Sequence, residues 1–362
     1  MNDSPERLAT TLDPAVLKGR LRATPEDFQV DEILGFEPEG QGEHLFVQLR
    51  KTRHNTEDVA ARLARALGMA RKQVSYSGMK DYHAVTSQWF SIHDPGGDDA
   101  LMHRLREQAT RWDGIELLHM ARHSRKLRRG AHRANRFVIR LTELQGDPRD
   151  LDARLEAIRR QGVPNYFGPQ RFGRGGNNLH KLAQQMERPR RLPRAARGLL
   201  YSTARAFIFN QQLSRRVTDG SWLTGLDGDI FALTGSTRFF ASDVLDDTLR
   251  RRLAEQDISP TGVLAGKPRP DRTPAGPAAV QENALLGKFQ DWVDWLAGEG
   301  VEQDRRSLRL VVGDVEIRHE TGDALTLTFS LPRGGYATAV LRELINDKAG
   351  GLEPPLLAPL LN

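Results

Sequence analysis

Apolar residues recur mostly at every second position in Asp27-Phe28-Gln29-Val30-Asp31-Glu32-Ile33 and again in His44-Leu45-Phe46-Val47-Gln48-Leu49-Arg50. This alternation predicts two half-buried strands, with Gly40 and Gly42 in the turn between them. The period then lengthens. Val59, Leu63 and Leu67 fall on one face of a helix that opens near Asn55 or Thr56, gains Glu57 and Asp58 in its first turn, and is closed by Gly68. Val74-Ser75-Tyr76 reads as a short strand, residues 78–84 as a loop, and Gln88-Trp89-Phe90-Ser91-Ile92 as another strand. Two further strands, around residues 116–122 and 135–141, are predicted to form a hairpin whose charged loop points outward.

The pattern changes after Leu151. Leu155 and Ile158 predict a helix that runs into the junction Gly162-Val163-Pro164-Asn165-Tyr166-Phe167-Gly168-Pro169-Gln170-Arg171-Phe172-Gly173. Beyond it the chain reads mainly helical, with an amphipathic run over residues 202–217 and a Pro/Gly-rich loop over 259–277. Strand-like alternation returns at Leu308-Arg309-Leu310-Val311-Val312 and at Thr326-Leu327-Thr328-Phe329-Ser330-Leu331, and residues 337–345 form a helical pattern. Strands at both ends with helices between predict one split domain interrupted by an inserted one. No internal repeat or low-complexity tract is evident.

At 362 residues, about two domains are expected. The apolar fraction of 38% and charged fraction of 28% are those of a globular chain, and no run approaches the ~18 apolar residues of a bilayer span. The start, Met1-Asn2-Asp3-Ser4-Pro5-Glu6-Arg7, lacks a basic region followed by an apolar stretch, so a cytoplasmic location is expected. Cysteine is absent, which removes disulfides, thiolate nucleophiles and thiolate zinc sites. Chemistry must come from oxygen or nitrogen side chains.

The net charge of +6 is unevenly spread. Between Glu116 and Glu143 no acid interrupts Arg122, Arg125, Lys126, Arg128, Arg129, Arg133, Arg136 and Arg140. From Arg188 to Arg216 there is again no acid, while Arg188, Arg190, Arg191, Arg194, Arg197, Arg205, Arg215 and Arg216 are all basic. Such concentrations attract a phosphate backbone, and the preference for arginine, which forks onto phosphate and stacks on bases, points to a structured RNA. A solvated face with helix-end arginines has the same composition, as does the product of a high-GC genome.

The chemical candidate is Gly78-Met79-Lys80-Asp81-Tyr82-His83-Ala84, where Asp81 has a lysine beside it and no acid until Asp94. A neighbouring cation favours a charged carboxylate, and a partly apolar surround makes it a stronger nucleophile. Spacing alone leaves this open, because a Lys-Asp turn is also the ordinary form of a surface ion pair or Asx turn. Other chemistries lack their motifs. Gly173-Arg174-Gly175-Gly176 has no Gly-Lys-Ser/Thr after it, no Gly-x-Gly-x-x-Gly follows a strand, and there is no Gly-x-Ser-x-Gly, so no cofactor is indicated. His119 and His123 sit on a predicted strand without a matching carboxylate, which fits phosphate or base contact better than metal ligation.

Four ordered segments bring in a resemblance. Pro25-Glu26-Asp27-Phe28, the Gly78 to Ala84 run, Val163 to Gly173, and Ala337-Thr338-Ala339-Val340-Leu341-Arg342-Glu343-Leu344-Ile345 resemble signatures of the TruD family of tRNA pseudouridine synthases, over nearly the whole chain. The resemblance implies an α/β (α+β) pseudouridine synthase fold with a mixed, largely antiparallel sheet, interrupted by a mainly helical inserted TRUD domain. The expected boundaries are 1–160 and 309–362 for the two parts of the catalytic domain, and 161–308 for the insertion. It implies isomerisation of uridine-13 in tRNA without cofactor or metal, with no membrane and no protein partner indicated.

Carried over by position, Asp81 matches the family's catalytic aspartate, Phe28 an aromatic that contacts the target base, and Asn135 an asparagine of the substrate pocket. Tyr336 falls where a phenylalanine is expected and Arg22 where a lysine is expected. Core packing is the ordinary role of both aromatics, and a cap or turn that of Asn135. The base must leave its stack, lie on an aromatic face and be read along its edge. The N-glycosidic bond breaks, the detached uracil rotates, C5 joins C1′, and a base removes the C5 proton. The carboxylate can start this by attacking the base or the sugar, or by taking a sugar proton. A non-catalytic RNA-binding or tRNA-folding factor using the same cleft is the contrasting reading; a tRNA methyltransferase is disfavoured by the missing cofactor loop.

Overall fold

The computed structural model describes residues 8–12, 17–97, 99–347 and 352. Residues 1–7, read above for a leader, lie outside them. The chain opens with β1 (Lys18–Leu21), β2 (Phe28–Ile33), β3 (His44–Thr52), α1 (Thr56–Leu67), β4 (Val74–Tyr76), β5 (Val85–His93), α2 (Ala100–Ala109), β6 (Ile115–His123) and β7 (Ala134–Gln145). A largely helical stretch follows, beginning with α3 (Pro148–Gln161), β8 (Val163–Pro164), α4 (Asn177–Glu187), α5 (Arg194–Thr218) and α6 (Ser221–Thr224). It continues through β9 (Ile230–Leu233), β10 (Phe239–Ala241), α7 (Asp247–Ala254), β11 (Ile258–Leu264), α8 (Gly276–Leu286), α9 (Gln290–Gly298), β12 (Asp304–Ser307) and β13 (Arg309–Leu310). Strands return as β14 (Gly313–His319) and β15 (Leu325–Pro332), before α10 (Ala337–Leu344). Among the described residues, no helix is long and apolar enough to cross a membrane.

Contacts divide the chain into two compact units. A strand-rich unit comprises Gly19–Gln145 and Gly313–Gly334; a helix-rich unit comprises Met1–Lys18, Gly146–Val312 and Gly335–Asn362. The strand-rich unit is thus interrupted in sequence.

Its sheet runs β14-β15-β7-β2-β5-β3-β6, with β4 paired to β5. Along this path β2 and β5 are parallel, Gln29 facing Val85, and the other neighbouring pairs are antiparallel, as is β4 with β5, so the sheet is mixed and largely antiparallel. Val59, Leu63 and Leu67 of α1 pack with Leu45, Val47, Leu49, Phe90 and Ile92 of the sheet and Leu105 of α2. Each such side chain contributes about 1.5–3 kcal/mol by leaving water. Asn55 precedes α1 and Gly68 ends it in the left-handed region at φ 69°, which glycine adopts without a Cβ clash.

The predicted hairpin does not form. Strands β6 and β7 both exist, but β6 pairs with β3 while β7 lies between β15 and β2. The long apolar face of β7 (Phe137, Ile139, Leu141) finds two partners in mid-sheet, with Phe137 stacked on Phe329 at 5.3 Å. The connection between β6 and β7 therefore has to cross the sheet and is pinned on the way. Leu127 buries with Leu34, Phe46 and Trp89, and His132 bonds Ser77 at 2.8 Å, while Arg125, Lys126, Arg128, Arg129 and Arg133 stay exposed.

In the helix-rich unit α5 runs 25 residues and buries Ala204, Phe207, Ile208 and Phe209. A small sheet, β10-β9-β11-β12, packs there as well. Strand β11 corrects the long loop expected from residue 259 onward. Its residues are buried up to Val263, and its pairing passes from β9 to β12 at Pro260, so the missing proline N–H falls where one ladder ends. The strand expected over 308–312 shrinks to Arg309–Leu310, paired with β8.

Candidate active site

Asp81 lies in the loop between β4 and β5, and the main chain of that loop is tied down along its length. The Gly130 N–H donates to the Ser77 carbonyl at 2.6 Å, Gln88 Nε2 to the Gly78 carbonyl at 3.1 Å, and the Lys80 N–H to Thr56 Oγ1 at 3.0 Å. Lys51 Nζ donates to the carbonyls of His54 and Asp81, at 2.8 and 3.0 Å. The side chain of Asp81 is left free by comparison. It is 47% exposed and meets only one described cation, Arg22 Nη2 at 3.2 Å.

The lysine beside Asp81 in sequence turns away from it. Lys80 Nζ sits 3.0 Å from Glu32 and donates to Asn135 Oδ1 at 2.6 Å, with the Glu32 side chain fully buried. Glu32 Oε1 also accepts the Trp89 N–H at 3.2 Å. A lysine next to an aspartate points to the opposite side of an extended loop, so sequence adjacency here separates the charges. Burial, then the Lys80 ammonium, pushes the imidazole of His132 below its ordinary value.

Arg22 links Asp81 to Phe28. Its guanidinium carbon lies 3.9 Å from the Phe28 ring centroid. The Arg22 backbone is left-handed at φ 55°, a conformation that costs a non-glycine residue about 1–2 kcal/mol. Phe28 itself is 3% exposed, with Phe137 edge-on at 6.2 Å. An exposed ion pair such as Arg22–Asp81 contributes about 0–1 kcal/mol, so the guanidinium can exchange partners cheaply.

Burial pushes the Lys51 ammonium down to about 8; the Asp81 carboxylate opposes this and Lys80 adds to it. Lys51 is therefore a buried ammonium under the Asp81 main chain that gives up its proton more readily than an ordinary lysine.

Phe28, Asp81 and Asn135 belong to the strand-rich unit, whereas Tyr336 belongs to the helix-rich one. There Tyr336 precedes α10, and its hydroxyl accepts from Arg171 Nη2 at 2.8 Å and Nε at 3.2 Å. Phe167 lies edge-on to it at 5.9 Å, and the Arg306 guanidinium covers Phe167 at 4.2 Å. Burial lowers Arg306 to about 10, which leaves it charged near neutrality. Asn210, itself buried, clamps Phe167 at both ends, accepting from its N–H at 2.9 Å and donating to its carbonyl at 3.0 Å. No group of three potential metal ligands occurs among the described residues. His123 instead stacks on Phe36 at 5.1 Å, and His119 lies edge-on to Trp89 at 5.7 Å.

The family model for tRNA pseudouridine synthase D (TruD) matches residues 8–189 and 179–344. The chain belongs to the TruD family. Relatives named tRNA pseudouridine synthase D include one from Methylococcus capsulatus, 48% identical over 91% of each chain. Another, from Pseudomonas putida, is 44% identical over 91% of this chain and 92% of its own. A solved structure bearing the TruD name, from Methanosarcina mazei, superposes with a TM-score of 0.73 at 23% identity, covering 95% of this chain and 98% of the other, which establishes the common fold.

Against the TruD pattern, several partners of the site were not singled out by sequence. Glu32 and Lys51 carried a signal: they occupy the buried register of their strands, in step with Phe28 and Val30 on β2 and with Val47 and Leu49 on β3. A charge in a buried register demands a buried partner. Arg171 and Arg306 had no such mark.

Proposed function

We propose that this protein isomerises uridine-13 of tRNA to pseudouridine, and that Asp81 initiates cleavage of the glycosidic bond. Membership of the TruD family supports the reaction. One observation carries the role of Asp81: an exposed carboxylate on a main chain fixed from several sides, paired among the described residues only to a half-buried arginine that can leave. Fixing the backbone holds the carboxylate's position, which is the entropic part of catalysis.

In this reading the uridine swings out of its helix, and its base takes the place of the Arg22 guanidinium over Phe28. Asn135, held by Lys80, keeps its amide NH₂ for a carbonyl of the base. Tyr336 is read, from its position in the family pattern alone, as a further substrate-binding aromatic, and Arg171 orients its hydroxyl. The N1–C1′ bond breaks, the uracil turns, the C5–C1′ bond forms and the C5 proton departs as N1 gains one, so composition is unchanged and neither oxidant nor energy source is required. The catalytic domain is read as residues 1–160 and 309–362, with 161–308 as the inserted RNA-binding domain. A tRNA substrate supports a cytoplasmic location.

The test is tritium release from unmodified tRNA carrying 5-tritiated uridine. Wild type is expected to release one tritium per tRNA and Asp81→Asn to lose at least ~10³-fold in rate, the scale of removing an essential nucleophile or base. Equal, negligible release from both would refute the isomerase reading.

A further inference from the structure

The second acid-free stretch does not act as one patch. Arg216 is buried against Asp229 at 2.6 Å, and Arg205 donates to the carbonyls of Leu264 and Glu302 at 3.3 Å each. Both are structural. The segment joining α4 to α5 is different: Arg190 and Arg191 are exposed and neither guanidinium has an ion pair or hydrogen bond among the described residues. The segment is nonetheless held, since Gln185 clamps the Arg190 main chain, donating to its carbonyl at 3.0 Å and accepting from its N–H at 3.3 Å.

These arginines border a cavity of about 310 Å³ that also contains Arg197, Trp295 and Glu299. Glu299, its only acid, is already engaged by Arg197 at 3.4 Å and by the Tyr201 hydroxyl at 2.6 Å. The charge of Arg190 and Arg191 is therefore unspent. Trp295 is half-buried beside Tyr201, with ring centroids 5.2 Å apart, and adds an aromatic surface to the cationic rim. The volume lies at the lower end of small-molecule sites, about 300–1,000 Å³. Guanidinium groups with an aromatic platform are the combination that grips a nucleic-acid backbone and stacks a base. Exposed arginines would hold a free anion weakly, whereas a polymer that is bound elsewhere presents its phosphates at high local concentration.

We propose that this cavity is an RNA-backbone site: Arg190 and Arg191 bind phosphates of tRNA, and Trp295 packs against an unstacked nucleotide. The proposal rests on the reading of tRNA as substrate. Its test is filter binding of unmodified tRNA across a salt series, comparing wild type with Arg190→Gln/Arg191→Gln, whose exposed side chains can change without disturbing the core. The double variant is expected to bind roughly tenfold more weakly near 0.1 M salt, and the slope of log K against log salt to fall by about 1–2. Equal affinity and slope in the two proteins would overturn the site while leaving the proposed reaction intact. If wild type neither binds tRNA nor releases tritium, the functional reading fails first and the cavity loses its ligand with it. Millimolar inorganic phosphate at constant ionic strength provides the remaining arm. If wild type binds phosphate, the double variant does not, and both bind tRNA equally, the cavity serves the free ion and the RNA proposal is wrong.

Discussion

Removing the Lys80 ammonium should unfold the protein more readily than any surface change near Asp81. In Lys80→Met the Glu32 carboxylate keeps the Trp89 N–H but loses its only described cation, and its side chain is wholly buried. Deleting one partner of a buried ion pair costs about 3–5 kcal/mol, because the remaining charge is left in a medium that cannot solvate it. Asn135 Oδ1 loses its donor in the same step, and that loss falls within this range. If the orphaned charge is the cause, removing it too should restore most of the stability. Glu32→Gln/Lys80→Met is therefore expected to lie within about 2 kcal/mol of wild type, since the amide oxygen can still accept from Trp89. Urea unfolding followed by fluorescence provides the midpoints and slopes. A Lys80→Met cost below about 1 kcal/mol, or a double variant that simply adds its two single costs, would refute the reasoning.

Two other outcomes follow from the same neighbourhood. Lys51 is held near 8 in the fold against 10.5 ordinarily, so between those values the unfolded chain keeps a proton that the folded chain has released. Stability should rise with pH across that window by up to about 3 kcal/mol, and Lys51→Met should lack the rise; parallel urea midpoints for the two proteins at about pH 7 and about pH 10 would contradict this. On the β6–β7 connection, Arg129 is committed to Tyr76, stacking at 3.9 Å and donating to its hydroxyl at 2.6 Å, whereas Arg128 is exposed without a described partner. Arg128→Glu should therefore weaken tRNA binding and lower the salt slope by about 1, and unchanged affinity would take this connection out of the RNA contact.

What could be read from sequence follows the range of the interactions involved. Local signals held: the period of α1, its Asn55 and Gly68 ends, and the strands β2, β3 and β15 each depend on neighbours a few residues away, although β3, expected half-buried, is buried on both faces from His44 to Val47. Pairing partners did not, because nothing local in residues 115–145 says that β6 belongs beside β3 and β7 beside β2 and β15. Proline and glycine between 259 and 277 read as loop, yet the buried positions Ile258 and Val263 outweigh them. At the site, the loop holding Asp81 was legible from its residues, but the direction of Lys80 was not. Adjacency in sequence reads as proximity in charge, and only the fold reveals that Lys80 serves Glu32 while Arg22, 59 residues away, serves Asp81.

The interrupted sheet also has a history in time. Strand β7 is complete at Gln145, yet β15, which covers its second edge from Leu325 to Pro332, emerges about 180 residues later. At ribosomal speeds of about 5–20 residues per second the wait is roughly 10–40 s. Throughout it, a 12-residue strand presents Phe137, Ile139 and Leu141 along an unpaired edge, the kind of surface that recruits other nascent chains. The intervening helical segment thus sets a delay in the assembly of the sheet, and the yield of folded protein depends on how well that edge is shielded until the last strands arrive.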